Sequence, residues 1–205
     1  MIRVQTVPAG KGLAPNAGSG KSGTSHARGR VEIAAKCGHN QAPLRDIPVM
    51  TTFAFEDFKP GHFGQFGPRR VTREEILAFA AEFDPQPMHL DEEAASRSML
   101  KGLSGSGWHL CSLIMRMMFD GFIGGTASLG SPGVNELRWL APLRPDDELM
   151  LDVEVMEARV SRSRPASGIV TFRAVARNAA GQALCEMVSP IIVRRREDIA
   201  LEQAG

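Results

Sequence analysis

Residues 108–122 constrain the fold more than any other part of the chain. Leu110, Leu113, Ile114, Met117, Met118 and Phe122 recur at helical spacing. They cover too much of the circumference for a surface helix, so the segment reads as a helix buried at the centre of a core. Gly102, Gly105 and Gly107 mark a tight loop before it. A buried helix needs an enclosing layer, and the following sequence provides one. After Pro132 the period changes to two, with Leu149, Leu151, Val153 and Val155 alternating with Glu148, Met150, Asp152 and Glu154. Val170, Phe172, Ala174 and Ala176 repeat this rhythm, Asn178-Ala179-Ala180-Gly181 reads as a turn, and residues 183–193 read as another strand. The plan is α+β: a curved antiparallel sheet wrapped around a long central helix.

Upstream, Phe53, Phe55, Phe58, Phe63 and Phe66 lie among Pro60, Gly61, Gly64 and Gly67, as in an extended segment laid across the core. Thr72 and Glu75 have capping-box spacing, and Ile76, Phe79, Ala80 and Phe83 form one helical face. Pro85 and Pro87 stop that helix, since neither has an amide proton to donate. Asp91 then caps a short helix, with Glu92 and Glu93 in its first turn.

The chain of 205 residues, 43% hydrophobic, suffices for one substantial core with an appended tail. The expected domain is residues 50–198, with a loosely ordered tail at 1–49, rich in Gly, Pro, Ser and Ala, and a short tail at 199–205. Within the first tail, Gly18-Ser19-Gly20-Lys21-Ser22 suggests a phosphate loop, but position 15 is proline and no hydrophobic strand precedes it; a Gly/Ser linker explains the same residues. Twenty-four bases nearly balance 23 acids, which gives no reason to propose a nucleic-acid partner. Cys37, Cys111 and Cys185 are odd in number and widely spaced, which argues against a disulfide framework and for a reducing, cytoplasmic setting. The longest apolar stretch, 110–123, is broken by Ser112, Arg116 and Asp120, so no membrane span is expected.

The chemistry concentrates where the first helix stops. Asp84 and His89 lie five positions apart across two prolines, and a proline-bounded loop can turn both toward one cavity. An imidazole serves as a base near neutral pH, and a carboxylate orients the ring or shares an activated water. The plainer alternatives are that Asp84 caps the helix end and His89 satisfies backbone groups. The loop before the central helix adds unsatisfied amides able to polarise a carbonyl, and Gly107 is the preferred donor because it has no Cβ. His109 reads as structural. His89 and His109 with Asp84 or Asp91 form no recognised zinc motif, so no metal is expected.

Ala80-Ala81-Glu82-Phe83-Asp84-Pro85-Gln86-Pro87-Met88-His89-Leu90-Asp91 closely resembles the hydratase motif of the MaoC-like, (R)-specific enoyl-CoA hydratase family. The resemblance continues through Gly105-Ser106-Gly107-Trp108-His109 and into Ser131-Pro132-Gly133-Val134-Asn135-Glu136-Leu137-Arg138-Trp139, and covers about residues 53–195. It implies a hot-dog fold, commonly a homodimer, with Asp84 and His89 catalytic and the Gly107 amide on the thioester carbonyl. The implied reaction, within fatty acid metabolism, interconverts a trans-2-enoyl thioester of coenzyme A or acyl-carrier protein and its (3R)-3-hydroxyacyl thioester, with no cofactor. Gln86 stands where the family usually has asparagine, which keeps the amide and lengthens its reach. A serine that some members carry on the central helix matches Met115 here, which leaves Ser112 as a substitute or no support at all. Met115, Met117 and Met118 fill the core or shape an acyl tunnel. Arg159, Arg162 and Arg164 would contact the coenzyme A phosphate, or are simply exposed at a strand end before Pro165. Thioester hydrolysis and non-catalytic acyl-thioester binding are the competing readings.

Overall fold

The computed structural model describes residues 53–203, with side chains through residue 200. The expectations for residues 1–49, including the glycine-rich segment and Cys37, lie outside the described residues. A 3-10 turn, Phe55–Asp57, leads into β1 (Gly61–Arg70). Helices α1 (Arg73–Phe83), α2 (Pro87–Leu90), α3 (Glu92–Arg97) and α4 (Gly107–Gly121) follow. Then come β2 (Ser128–Gly130), β3 (Glu136–Trp139), β4 (Glu148–Val160), β5 (Ser167–Arg177), β6 (Ala183–Arg194) and α5 (Arg196–Gln203).

The strands form one six-stranded sheet in the order β1-β4-β5-β6-β2, with β3 also paired to β6. Every pairing between these strands is antiparallel. β3 runs beside Cys185–Val188 and β2 beside Ile192 and Val193, so two short strands share one side of β6. The period-two rhythm has the expected effect. Leu149, Leu151, Val153 and Val155 of β4 and Val170, Phe172, Ala174 and Ala176 of β5 are buried against Leu110, Leu113, Ile114, Met117 and Met118 of α4. The phenylalanines of the first segment close the core: Phe58 meets Phe172 edge-on with ring centroids 5.3 Å apart, and Phe63 meets Phe122 at 4.9 Å. This is the hot-dog arrangement, a curved antiparallel sheet around a helix.

Three details differ from expectation. The central helix is not enclosed on every side, because Trp108, Met115 and Phe119 are exposed along one flank. Phe83 is exposed as well: α1 has run past the core by its last turn, and the Phe83 ring meets that of Phe79 at 5.0 Å. At the C-terminus, α5 runs through the boundary expected at residue 198. Its start is tied down by the Arg196 amide, which donates to Glu56 Oε2 at 2.9 Å, and by Arg195 Nε at 3.2 Å from Glu56 Oε1.

Candidate active site

The site begins where α1 ends. Thr72 and Glu75 form both halves of the capping box, with the Glu75 amide 3.2 Å from Thr72 Oγ1 and the Thr72 amide 3.1 Å from Glu75 Oε2. This sets the helix phase and delivers Asp84 as the C-cap residue, its amide donating to Ala80 O at 3.0 Å. The proline-bounded turn is held by Gln86 N to Asp84 O at 2.7 Å and His89 N to Gln86 O at 2.9 Å. It turns His89 inward, where the ring is buried. Asp91 caps α3 as expected, its Oδ1 accepting from the Ala94 amide at 2.7 Å.

The second wall is the loop before α4. Arg144 organises it, donating from Nη1 to Gly102 O at 2.7 Å and Leu103 O at 3.0 Å, and from Nη2 to Leu100 O. The Gly105 amide donates to Leu143 O at 2.9 Å. Ser104 O is thereby aimed at His89, 2.8 Å from Nδ1. A carbonyl only accepts, so Nδ1 carries the proton and a neutral ring presents the Nε2 lone pair to the site. Nε2 lies 3.6 Å from Asp84 Oδ2, beyond direct hydrogen-bond length.

Asp84 receives two donors. Ser106 Oγ donates to Oδ2 at 2.6 Å, and Gln86 Nε2 donates to Oδ1 at 2.8 Å. The Ser106 hydroxyl, then the Gln86 amide, favour the ionised form and hold the Asp84 carboxyl below its ordinary value. Ser106 is the N-cap of α4 and Gly107 its first residue, so the Gly107 amide has no intrahelical partner. Asp84, Gln86, His89, Ser106 and Gly107 line one cleft of about 560 Å³, with Trp108, Trp139 and Leu143 among its apolar walls.

Glycine at 107 has a further reason. The Trp139 indole donates from Nε1 to Gly107 O at 3.0 Å, and a Cβ at 107 would stand 2.5 Å from the ring. A neighbouring side chain therefore excludes larger residues while Trp139 keeps this position.

Other expected participants lie elsewhere. Ser112 does not support the carboxylate: its hydroxyl donates to Trp108 O at 2.9 Å, one turn back on its own helix. Ser112 and Met115 instead line a second cavity of about 720 Å³, with Met118, Ile123, Val134 and Met187. Trp108 borders both spaces. Met117 is core. Arg159 is 3.5 Å from Glu157, while Arg162 and Arg164 lie in the β4–β5 turn; none of the three lines the cleft. His109 is buried and stacked on Phe79 at 4.7 Å; burial lowers its pKa, favouring the neutral ring.

Ser104, Ser106, Trp139 and Arg144 were given no role by the sequence reading. Ser106 alone carried a local signal, a serine standing just before a helix. Among the described residues, no group of three His, Cys, Asp or Glu side chains is placed to hold a metal ion. Among them, no helix is long and apolar enough to cross a membrane.

The MaoC like domain matches residues 59–178, which include Asp84 and His89, the start of α4 and most of the sheet. The chain belongs to the MaoC-like dehydratase family. A MaoC-like dehydratase from Rhodospirillum rubrum is 39% identical in sequence, superposes with a TM-score of 0.65, and is matched over 70% of this chain and 98% of its own. The uncharacterized protein YdeM of Bacillus subtilis (strain 168) is 33% identical over 117 residues, 57% of this chain and 81% of its own length. The R-hydratase PhaJ1 of Pseudomonas aeruginosa, 20% identical, has a similar fold with a TM-score of 0.55 over 70% of this chain and 86% of its own.

Proposed function

We propose that this family member adds water to, or removes it from, an acyl thioester, interconverting a trans-2-enoyl and a (3R)-3-hydroxyacyl thioester of coenzyme A or acyl-carrier protein. One observation carries the reading. Asp84 Oδ2 and the Nε2 lone pair of His89 are two acceptors 3.6 Å apart facing one cleft. Two adjacent acceptors call for a molecule with two hydrogens that donates to both from the cleft, and water fits. Its oxygen is then free to attack.

The thioester oxygen accepts from the Gly107 amide, which draws electron density from the double bond. As the water oxygen bonds to C3, His89 Nε2 takes one proton, while Asp84 holds the other hydrogen and stabilises the developing imidazolium. The dyad returns one proton to C2, so the elements of water are added and the protein ends unchanged. Dehydration retraces these steps. The acyl tail runs past Trp108 into the apolar cavity beside Met115 and Met118. Pairing of two copies is supported by the apolar residues exposed near that flank, Trp108, Met115, Phe119 and Val134, and by the short strands at the sheet edge.

Purified protein incubated with crotonyl-CoA tests the reaction. The expected result is loss of enoyl absorbance, appearance of (3R)-hydroxybutyryl-CoA and no free thiol. Thiol release without hydroxyacyl product replaces this reading with hydrolysis, and no product from a panel of enoyl thioesters replaces it with binding alone.

A further inference from the structure

Ser106 makes two hydrogen bonds of opposite sense. Its Oγ accepts from the Trp108 amide at 3.2 Å, which caps α4, and donates to Asp84 Oδ2 at 2.6 Å. The residue is only 1% exposed, so water has little access to take over either bond. The direction is fixed by proton inventory. An amide only donates, so Trp108 occupies an oxygen lone pair and leaves the single hydroxyl proton for Asp84. The short contact has the length expected of a hydroxyl on a carboxylate. On the other oxygen, Gln86 Nε2 can also only donate. Both Asp84 oxygens are thus committed as acceptors.

We infer that Ser106 is a positioning residue for the dyad: it keeps Asp84 an acceptor on the oxygen that faces His89, and ties that carboxylate to the start of α4, one residue before the Gly107 amide. The polar support expected from the middle of the central helix comes instead from its N-cap. Position 115 is an exposed methionine lining the other cavity. One hydroxyl therefore sets the relative placement of the water-holding carboxylate and the carbonyl-binding amide. A water near His89 Nε2 gains a second fixed acceptor only while Oδ2 is held in this orientation.

This inference rests on the hydration reading for its rate measurement, and a second measurement is independent of turnover. The variants are Ser106→Ala, Ser106→Gly and Ser106→Thr. Glycine is nearly as good an N-cap as serine, so Ser106→Gly removes the donor while largely preserving the helix start; threonine keeps both bonds. The Asp84 carboxyl is titrated by carbon-13 NMR, identified by its loss in Asp84→Asn. In Ser106→Ala and Ser106→Gly its midpoint is expected to move up, toward that of an ordinary carboxyl, and Ser106→Thr to return it. With an enoyl-CoA substrate, kcat is expected to fall about tenfold or more in both with KM little changed. The acid limb of the rate profile should move to higher pH and recover with threonine. Lower thermal stability with an Asp84 titration superimposable on wild type would overturn the inference, leaving Ser106 a helix cap only. A shifted titration in a protein that turns over no enoyl thioester would sustain the positioning role while the hydration reading fails.

Discussion

Replacing Gly107 by alanine tests whether the Trp139 indole, rather than backbone freedom, demands glycine at the head of α4. The position is helical and its φ is not left-handed, so alanine suits the backbone. The added Cβ would stand 2.5, 2.7 and 2.9 Å from Trp139 Cε2, Nε1 and Cδ2. Ordinary contact between carbons begins near ~3.5 Å, so the ring must retreat by about 1 Å. That carries Nε1 out of range of Gly107 O and forfeits a hydrogen bond worth about 1 kcal/mol. Overpacking adds about 1 kcal/mol, the low end of its range, because Trp139 is half exposed and can swing outward. Better helix propensity returns about 0.5 kcal/mol in a first turn. The net expectation is a loss of about 1.5 kcal/mol in urea unfolding followed by circular dichroism. In a Trp139→Ala background, clash and hydrogen bond are both gone and only the propensity gain remains. There Gly107→Ala should be neutral or slightly stabilising, a coupling of about 2 kcal/mol across the cycle. An equal penalty in both backgrounds would refute the steric account.

Asp84→Asn and His89→Ala should each lower kcat by about a hundredfold or more while leaving the unfolding transition cooperative, measured by crotonyl-CoA turnover alongside calorimetry. Burial pushes Glu75 up, but the Thr72 amide and Arg69 outweigh it and hold the carboxyl below its ordinary value. A lowered carboxyl contributes stability that is complete above the unfolded value and disappears as pH falls through the folded one. Glu75→Gln should therefore cost about 0.5 kcal/mol at pH 7, discounted for solvent screening, and the gap from wild type should close in acid during urea titrations. The neighbouring Cys185 thiol favours the thiolate of Cys111 and holds it down to about 7, whereas Cys185 is raised by that same neighbour and by burial. Iodoacetamide near neutral pH should label Cys111 far faster than Cys185 by peptide mapping, and similar rates would contradict the assignment.

The long periodic elements were legible because their signal is local. The expected helix at 108–122 becomes Gly107–Gly121, the alternating segments become β4 and β5, and the strand expected at 183–193 becomes β6. The capping box at Thr72 and the cap at Asp91 form as read. β2 and β3 were not legible, since strands of three and four residues are too short to establish a period. Within the site, the proline-bounded turn signalled Asp84 and His89, but their partners come from distant chain: Ser106 is 22 residues from Asp84, and Trp139 is 32 from Gly107. Ser112 was misplaced by helix phase. It lies five residues after Gly107, about 140° around the axis, and so faces away from the cleft. No local pattern distinguishes Arg144, in the loop between β3 and β4, from the other arginines of the chain.

Arg144 has a consequence for remodelling. Leu100, Gly102 and Leu103 turn their carbonyls onto one guanidinium, so the shape of this loop is carried by a side chain from outside it. Libraries that randomise residues 98–101 can alter the rim of the cleft while the scaffold tolerates the change, provided the backbone still offers those acceptors to position 144. Substituting the arginine itself would loosen every variant at once, because lysine is a point charge without the planar fork needed to span all three.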